Sequence, residues 1–156
     1  MNISYSSADK VILKIKNDSV TLGDGVKIGD YQVTGAGEYD IANIQCEAKA
    51  LEKALLYFVR AEDLTITFLS DVDTSVIKVD EASKTDILIV DVRSNAEAAD
   101  LKNILKQLEP GYLFLIGSGN SPELVKSLGL PSYESSTLKV TRSSLPQEGS
   151  YFVPQS

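Results

Sequence analysis

The sequence predicts an α/β fold: an α+β sandwich, antiparallel at first and β-α-β later, with helices mainly from the C-terminal half. Two observations carry this expectation. Through Ser70 the chain alternates short β-rich runs with tight turns, and from Asp86 two continuous apolar runs flank a segment with helical periodicity. Length supplies a third: 156 residues, 43% hydrophobic and 24% charged, suit one domain spanning 1–156 with a substantial core.

The elements follow in order. KVILKIK (10–16) and SVTLG (19–23) are β-rich runs separated by Asn17-Asp18, a pair suited to a tight hairpin turn. GDG at 23–25 and GDY at 29–31 mark further turns, so up to Val33 the connections are too short to hide a helix. In TGAGEYDIANIQCEAKA (34–50), Gly35 and Gly37 permit positive φ on either side of Ala36. From there Ile44, Cys46, Ala48 and Ala50 alternate with Asn43, Gln45, Glu47 and Lys49, which predicts a strand with one wet face. ALLYFVR (54–60) follows a turn at Glu52-Lys53 and LTITFLS (64–70) one at Glu62-Asp63, making an antiparallel meander. Lys14 and Lys16, two positions apart, read as a solvated edge.

The second half changes character. DILIVDV (86–92) is a buried strand, and Ser94 with Glu97 three positions on is a capping box that opens a helix. Leu101, Ile104, Leu105 and Leu108 share one face of that helix, and Pro110-Gly111 stops it. YLFLIG (112–117) is the next buried strand. A second short helix starts at Ser121-Pro122 and ends at Gly129. This order implies local parallel pairing, and short strands near TLKV (137–140) and SYFV (150–153) complete the chain.

Composition narrows the chemistry. A net charge of −7, with 22 acidic against 15 basic residues, opposes binding to nucleic acid or anionic lipid, both of which need a basic face. No run of about 18 apolar residues is present to span a membrane. MNISYSSADKVILKI lacks the basic-then-apolar order of a signal peptide, so the expectation is a cytoplasmic protein. The one cysteine, Cys46, sits in an alternating strand and reads as a small buried hydrophobe. Histidine is absent altogether. Ser-His-Asp and Cys-His catalysis are thereby excluded, as is an ordinary tetrahedral zinc site built from imidazole and thiolate.

Several stretches together resemble the small lactonase-like metal-dependent hydrolases of the metallo-β-lactamase superfamily. GAGEYDI (35–41) is similar to that group's Gly-x-Gly-Glu-Tyr-x-Ile strand entry, in which Gly35, Gly37, Glu38 and Tyr39 are structural. LYFVRAEDLTITFLSDVD (56–73) resembles the strand pair that ends in Gly-Asp. TDILIVDV (85–92), LKQLEPGYLFLIG (105–117) and RSSLPQEGSYFV (142–153) continue the likeness over most of the chain.

The departures from the family matter more for function. The resemblance implies a His-x-His-x-Asp-His motif on a loop after the first strands, yet here SVTLGDGVKIGDYQV runs directly into GAGEYD. The bridging aspartate of the family corresponds to Asp71, with Ser70 in place of the glycine, and the last histidine position falls at about Gly117 or Ser118. One carboxylate of the usual ligand set does not hold zinc. The expectation is a catalytically degenerate domain, more a pseudo-hydrolase than an enzyme, with no zinc or other cofactor, acting as a binding, structural or oligomerising module. Loss of the helix-bearing segment is expected to uncover apolar sandwich surface that a second copy or a protein partner would cover.

Other chemistry stays open at this stage. FLSDVDTSV (68–76) fits the Asp-x-Asp-x-Thr/Ser pattern of haloacid-dehalogenase-like phosphotransferases, with Asp71 as nucleophile, Asp73 as general acid/base and Mg²⁺ to offset charge. Asp71, Asp73 and Asp91 offer all-oxygen ligands to a hard cation, at strand ends where functional groups of α/β sheets collect. NSPEL (120–124) after GSG (117–119) starts a helix whose N–H groups attract anions. The plainer readings are solvated turn-forming aspartates and an ordinary strand-to-helix turn.

Overall fold

A computed structural model describes residues 1–79, 85–93 and 96–155. In chain order the described strands are β1 (Asn2–Ser7), β2 (Lys10–Ile15), β3 (Asp18–Gly23), β4 (Gly25–Ile28), β5 (Tyr31–Gln32), β6 (Gly37–Ile41), β7 (Ile44–Ala50), β8 (Leu55–Ala61) and β9 (Leu64–Leu69). A 3₁₀ turn over Thr74–Lys78 precedes β10 (Ile87–Asp91), α1 (Ala98–Leu108), β11 (Tyr112–Ile116), α2 (Pro122–Leu128), β12 (Thr137–Lys139) and β13 (Tyr151–Phe152). Six strands form one antiparallel sheet ordered β12-β1-β2-β3-β4-β5, and seven form a mixed sheet ordered β13-β11-β10-β9-β8-β7-β6.

The mixed sheet changes direction at β9. Up to there each strand folds back on the last: β6–β7 and β8–β9 through the two-residue turns Ala42-Asn43 and Glu62-Asp63, whose left-handed backbone matches the twist of paired strands, and β7–β8 through the four residues 51–54. From β9 onward the pairs β9–β10, β10–β11 and β11–β13 are parallel; in the chain the 3₁₀ segment lies between the first pair, α1 between the second, and α2 with β12 of the other sheet between the third. The C-terminal ends of β9, β10 and β11 therefore lie side by side.

Two apolar layers hold this together. Ile3, Leu13, Leu22 and Ile28 of the first sheet meet Ile44, Ile66, Phe68, Ile89 and Phe114 of the second. On the other face of the mixed sheet, Leu88, Val90, Leu113 and Leu115 pack on Leu101, Ile104, Leu108, Leu124 and Leu128 of the helices. Every residue of β10 and β11 is buried, as expected for parallel strands covered on both faces.

Several expectations shift. The stretch 34–50 is a hairpin of β6 and β7, not one turn and one strand; its turn was hidden because Ala42 and Asn43 are not glycine. Ile44, Cys46 and Ala48 are buried as the alternation predicts, whereas Ala50 is exposed. The β2–β3 turn lies at Lys16-Asn17, one residue early, with Lys16 at φ 56°. Lys14 faces solvent from the middle of the first sheet, since β2 has neighbours on both sides, so it marks a wet face and not an edge. Ser94, expected to open the capping box, lies outside the described residues. Glu97 is the N-cap of α1 and makes no side-chain capping bond.

The expected uncovered apolar surface is also absent among the described residues. Large exposed hydrophobics are confined to Tyr31, Ile77 and Tyr151, on three separate elements. Where β7 and β8 lack a helix, Lys49 and Arg60 lie over the ring of the fully buried Phe58, at 5.9 and 5.5 Å from its centroid, and present charge to water.

Candidate functional site

Asp71 and Asp73 follow β9, Asp91 closes β10, and Gly117 follows β11, so the parallel register gathers the predicted residues at one end of the mixed sheet. The opposite sheet supplies two turns there, Ala8-Asp9 and Gly23-Asp24. Gly117 N–H donates to the Ala8 carbonyl at 3.1 Å.

Asp91 sits on the inner face because Ile87 and Ile89, two and four residues before it, face the first sheet. It is 4% exposed. Its Oδ2 accepts from Arg93 Nε at 2.6 Å, while Oδ1 has no hydrogen-bond partner among the described residues. Burial raises the pKa of this carboxyl; the Arg93 hydrogen bond and charge oppose the rise, Asp9 and Asp71 add to it, and the net shift is upward. Arg93 reaches further. A terminal nitrogen donates to the Gly23 carbonyl at 3.1 Å and stands 3.6 Å from Asp24 Oδ1, so one side chain connects the two sheets.

Gly117 adopts φ +99°, and a Cβ there would overlap Asp91 Oδ1 and stand 3.0 Å from the Val92 carbonyl. Of the two positions that the resemblance offers for the last histidine, Ser118 is exposed with its hydroxyl on the Arg93 carbonyl, and Gly117 has no room for a side chain. What fills the space is the Asp91 carboxylate.

Asp71 and Asp91 share this end, since both charges act on Arg93 and that of Asp71 also reaches Asp91. Asp71 is half-buried and its Oδ1 accepts from the N–H of Val72 at 2.8 Å; Ser70 Oγ accepts from Leu55 N–H at 2.8 Å. Asp73 points elsewhere. Its Oδ1 accepts from Ser75 N–H at 2.9 Å as the cap of the 3₁₀ turn, and its Oδ2 from Lys53 N–H at 2.7 Å. Burial pushes its pKa up, but those backbone donors and the Lys53 charge outweigh it and hold the carboxyl below its ordinary value. A carboxylate bound in this way is a cap and keeps no proton to exchange near neutral pH.

The remaining predicted residues have local roles. Gly35 and Gly37 take φ of 137° and 150°, and the Tyr39 hydroxyl donates to the Gly35 carbonyl at 2.9 Å, closing the turn that carries the chain from one sheet to the other. Glu38 is exposed on β6. Cys46 is buried and its thiol is pushed up to about 11, by burial first, with Arg60 lowering and Glu47 raising it, so it is no nucleophile. At α2 the Ser121 side chain accepts from Leu124 N–H, so the helix caps itself.

Arg93 is the residue that sequence reasoning missed. Its signal was the dipeptide Val92-Arg93 directly after a buried strand ending in Asp91, where a cation two residues on shares the strand's inner face.

Neither a protein-family model nor a curated protein matches the sequence. Comparison of the whole chain with solved structures gives its class: it has the metallo-β-lactamase fold. One solved neighbour is a Thermotoga maritima protein described as a Zn-dependent hydrolase of the metallo-β-lactamase superfamily, with a TM-score of 0.72 over 97% of each chain at 12% identity. At that identity the likeness is one of fold. The fold family implies zinc, and the residues here do not fit it. There is no histidine, and Cys46 lies within the core between the sheets. Among the described residues, no three or more His, Cys, Asp or Glu side chains form a group able to hold a metal. Among the same residues, no helix is long and apolar enough to cross a membrane.

Proposed function

We propose that this chain is a catalytically degenerate metallo-β-lactamase-like domain that works by binding or as a structural module, without a metal. The observation that carries the proposal is the occupied strand end: Asp91 fills the space beside Gly117 and is engaged by Arg93 from within the chain. An open coordination position, which a catalytic metal needs, has no donors to frame it. Association with a second copy or a protein partner belongs to the same proposal. Its support is β6, whose outer edge ends the mixed sheet and leaves backbone donors and acceptors for another strand. A cytoplasmic location is proposed as well, supported by the single unpaired, buried cysteine.

Elemental analysis of untagged protein, after dialysis against zinc, magnesium, manganese and calcium, tests the metal-free part. Substoichiometric metal throughout is the expected result. Stoichiometric metal that disappears in Asp71→Ala would overturn it and favour a Mg²⁺-dependent phosphohydrolase centred on Asp71, with turnover of phosphate esters as the confirming readout.

A further inference from the structure

We propose that Arg93 is a positioning residue: its guanidinium is the fixed cation that ties the end of β10, through Asp91, to the Gly23-Asp24 turn of the opposite sheet. This rests on the metal-free reading above, in which the cation facing Asp91 comes from the chain itself.

Three features converge on it. The first is connectivity. Arg93 joins Asp91 in the mixed sheet to the Gly23 carbonyl and Asp24 in the antiparallel sheet, a reach of 70 residues along the chain. A planar guanidinium, with five donors in a fixed fork, holds such separated acceptors at once, and a lysine ammonium at the same place would not. The second is charge. Asp9, Asp24, Asp71 and Asp91 all belong to this end of the molecule, and the last three act on Arg93 directly. A carboxylate as buried as Asp91 is costly unless a cation faces it.

The third is steric. Asp91 Oδ1 lies in space that exists only because residue 117 is glycine. Gly117 N–H to Ala8, and Gly119 N–H to the Val92 carbonyl, brace the same corner by backbone alone. The corner is therefore assembled around the Asp91–Arg93 pair, with the β11 end shaped to leave it room.

Thermal unfolding followed by circular dichroism tests this with Asp91→Asn, Arg93→Gln and the double variant. The expected result is a Tm several degrees lower in Arg93→Gln than in wild type, with the double variant recovering part of that loss, because the orphaned carboxylate is what destabilises. In Arg93→Ala, guanidinium chloride at a low, sub-denaturing concentration is expected to raise Tm where equimolar sodium chloride does not. The rise should vanish when Asp91 is also Asn. An Arg93→Gln Tm within a degree of wild type, additive single effects, or a rescue that persists without Asp91 would each overturn the proposal. Should Arg93→Gln fail to fold, a folded double variant supports it and an unfolded one overturns it. The metal content of the wild-type protein is read separately, so failure of this role and failure of the metal-free reading are distinguishable.

Discussion

The chain leaves β9 and β10 with a buried aspartate each time, and the two are provided for in opposite ways. Asp73 is 5% exposed and Asp91 is 4% exposed, so depth does not separate them. Asp73 receives backbone N–H groups on both oxygens, from its own 3₁₀ turn and from the turn before β8. Asp91 receives a side chain on one oxygen and nothing among the described residues on the other. The pKa of the first is held down and that of the second is pushed up. Donors, more than burial, decide the state of a carboxylate. A carboxylate held by backbone is fixed by the path of the chain, whereas Asp91 depends on one side chain, that of Arg93.

The largest expected effect attacks the second aspartate through its neighbour. Gly117→Ala places a Cβ onto Asp91 Oδ1 and close to the Val92 backbone, at a φ of +99° that L side chains rarely adopt. Overpacking and backbone strain together should cost about 3 kcal/mol. Chemical denaturation should show a much smaller cost in an Asp91→Ala background, where only the strain and the Val92 contact remain. Equal costs in both backgrounds would mean that the carboxylate does not define the corner.

Next comes the first aspartate. Asp73→Ala removes the cap of the 3₁₀ turn and leaves the Lys53 N–H without its acceptor, for a loss of about 2 kcal/mol. The folded pKa of Asp73 lies below its unfolded value. Its charge therefore contributes stability that is present above the unfolded pKa of about 3.9 and is lost as pH falls through the folded one. Acid titration of stability should be shallower in Asp73→Asn than in wild type. A parallel curve would show that the charge is not what binds the two turns.

How much of this was legible without coordinates differs between the two exits. The strands and helices around them were legible, because Leu101, Ile104, Leu105 and Leu108 carry the helical period and Pro122 and Gly129 punctuate α2. β1 was not. Asn2–Ser7 is rich in serine and buries only Ile3 fully, so its strand state is set by pairing with β2 and β12. The Ala42-Asn43 turn was missed for a related reason: neither residue is glycine, and the tertiary pairing of β6 with β7 imposes the left-handed backbone. At the site, missing histidines are a matter of counting, and Asp71 and Asp91 are visible as acids at strand ends. The split between Asp73 and Asp91 was not visible. It depends on which backbone N–H groups arrive from Lys53 and which side chain arrives from Arg93, and a linear pattern does not encode those distances.

The smallest effect serves to separate charge from capping. Ser121, like Asp73, is an N-cap that accepts a backbone N–H, from Leu124 at 3.2 Å, but it is neutral and only half-buried. Ser121→Ala should cost about 1 kcal/mol, the usual value for losing a side-chain cap. Because a hydroxyl does not titrate in this range, that loss should be constant from about neutral pH down to about pH 3, while the loss in Asp73→Ala holds above the unfolded pKa of about 3.9 and shrinks below it as the carboxylate is protonated. If Ser121→Ala also lost its effect in acid, the slope at Asp73 would belong to the weakening of the whole helical side of the sheet. If only Asp73→Ala shows the slope, the ionised carboxylate between Lys53 and Ser75 accounts for it, and the contrast with Asp91 becomes one of donors alone.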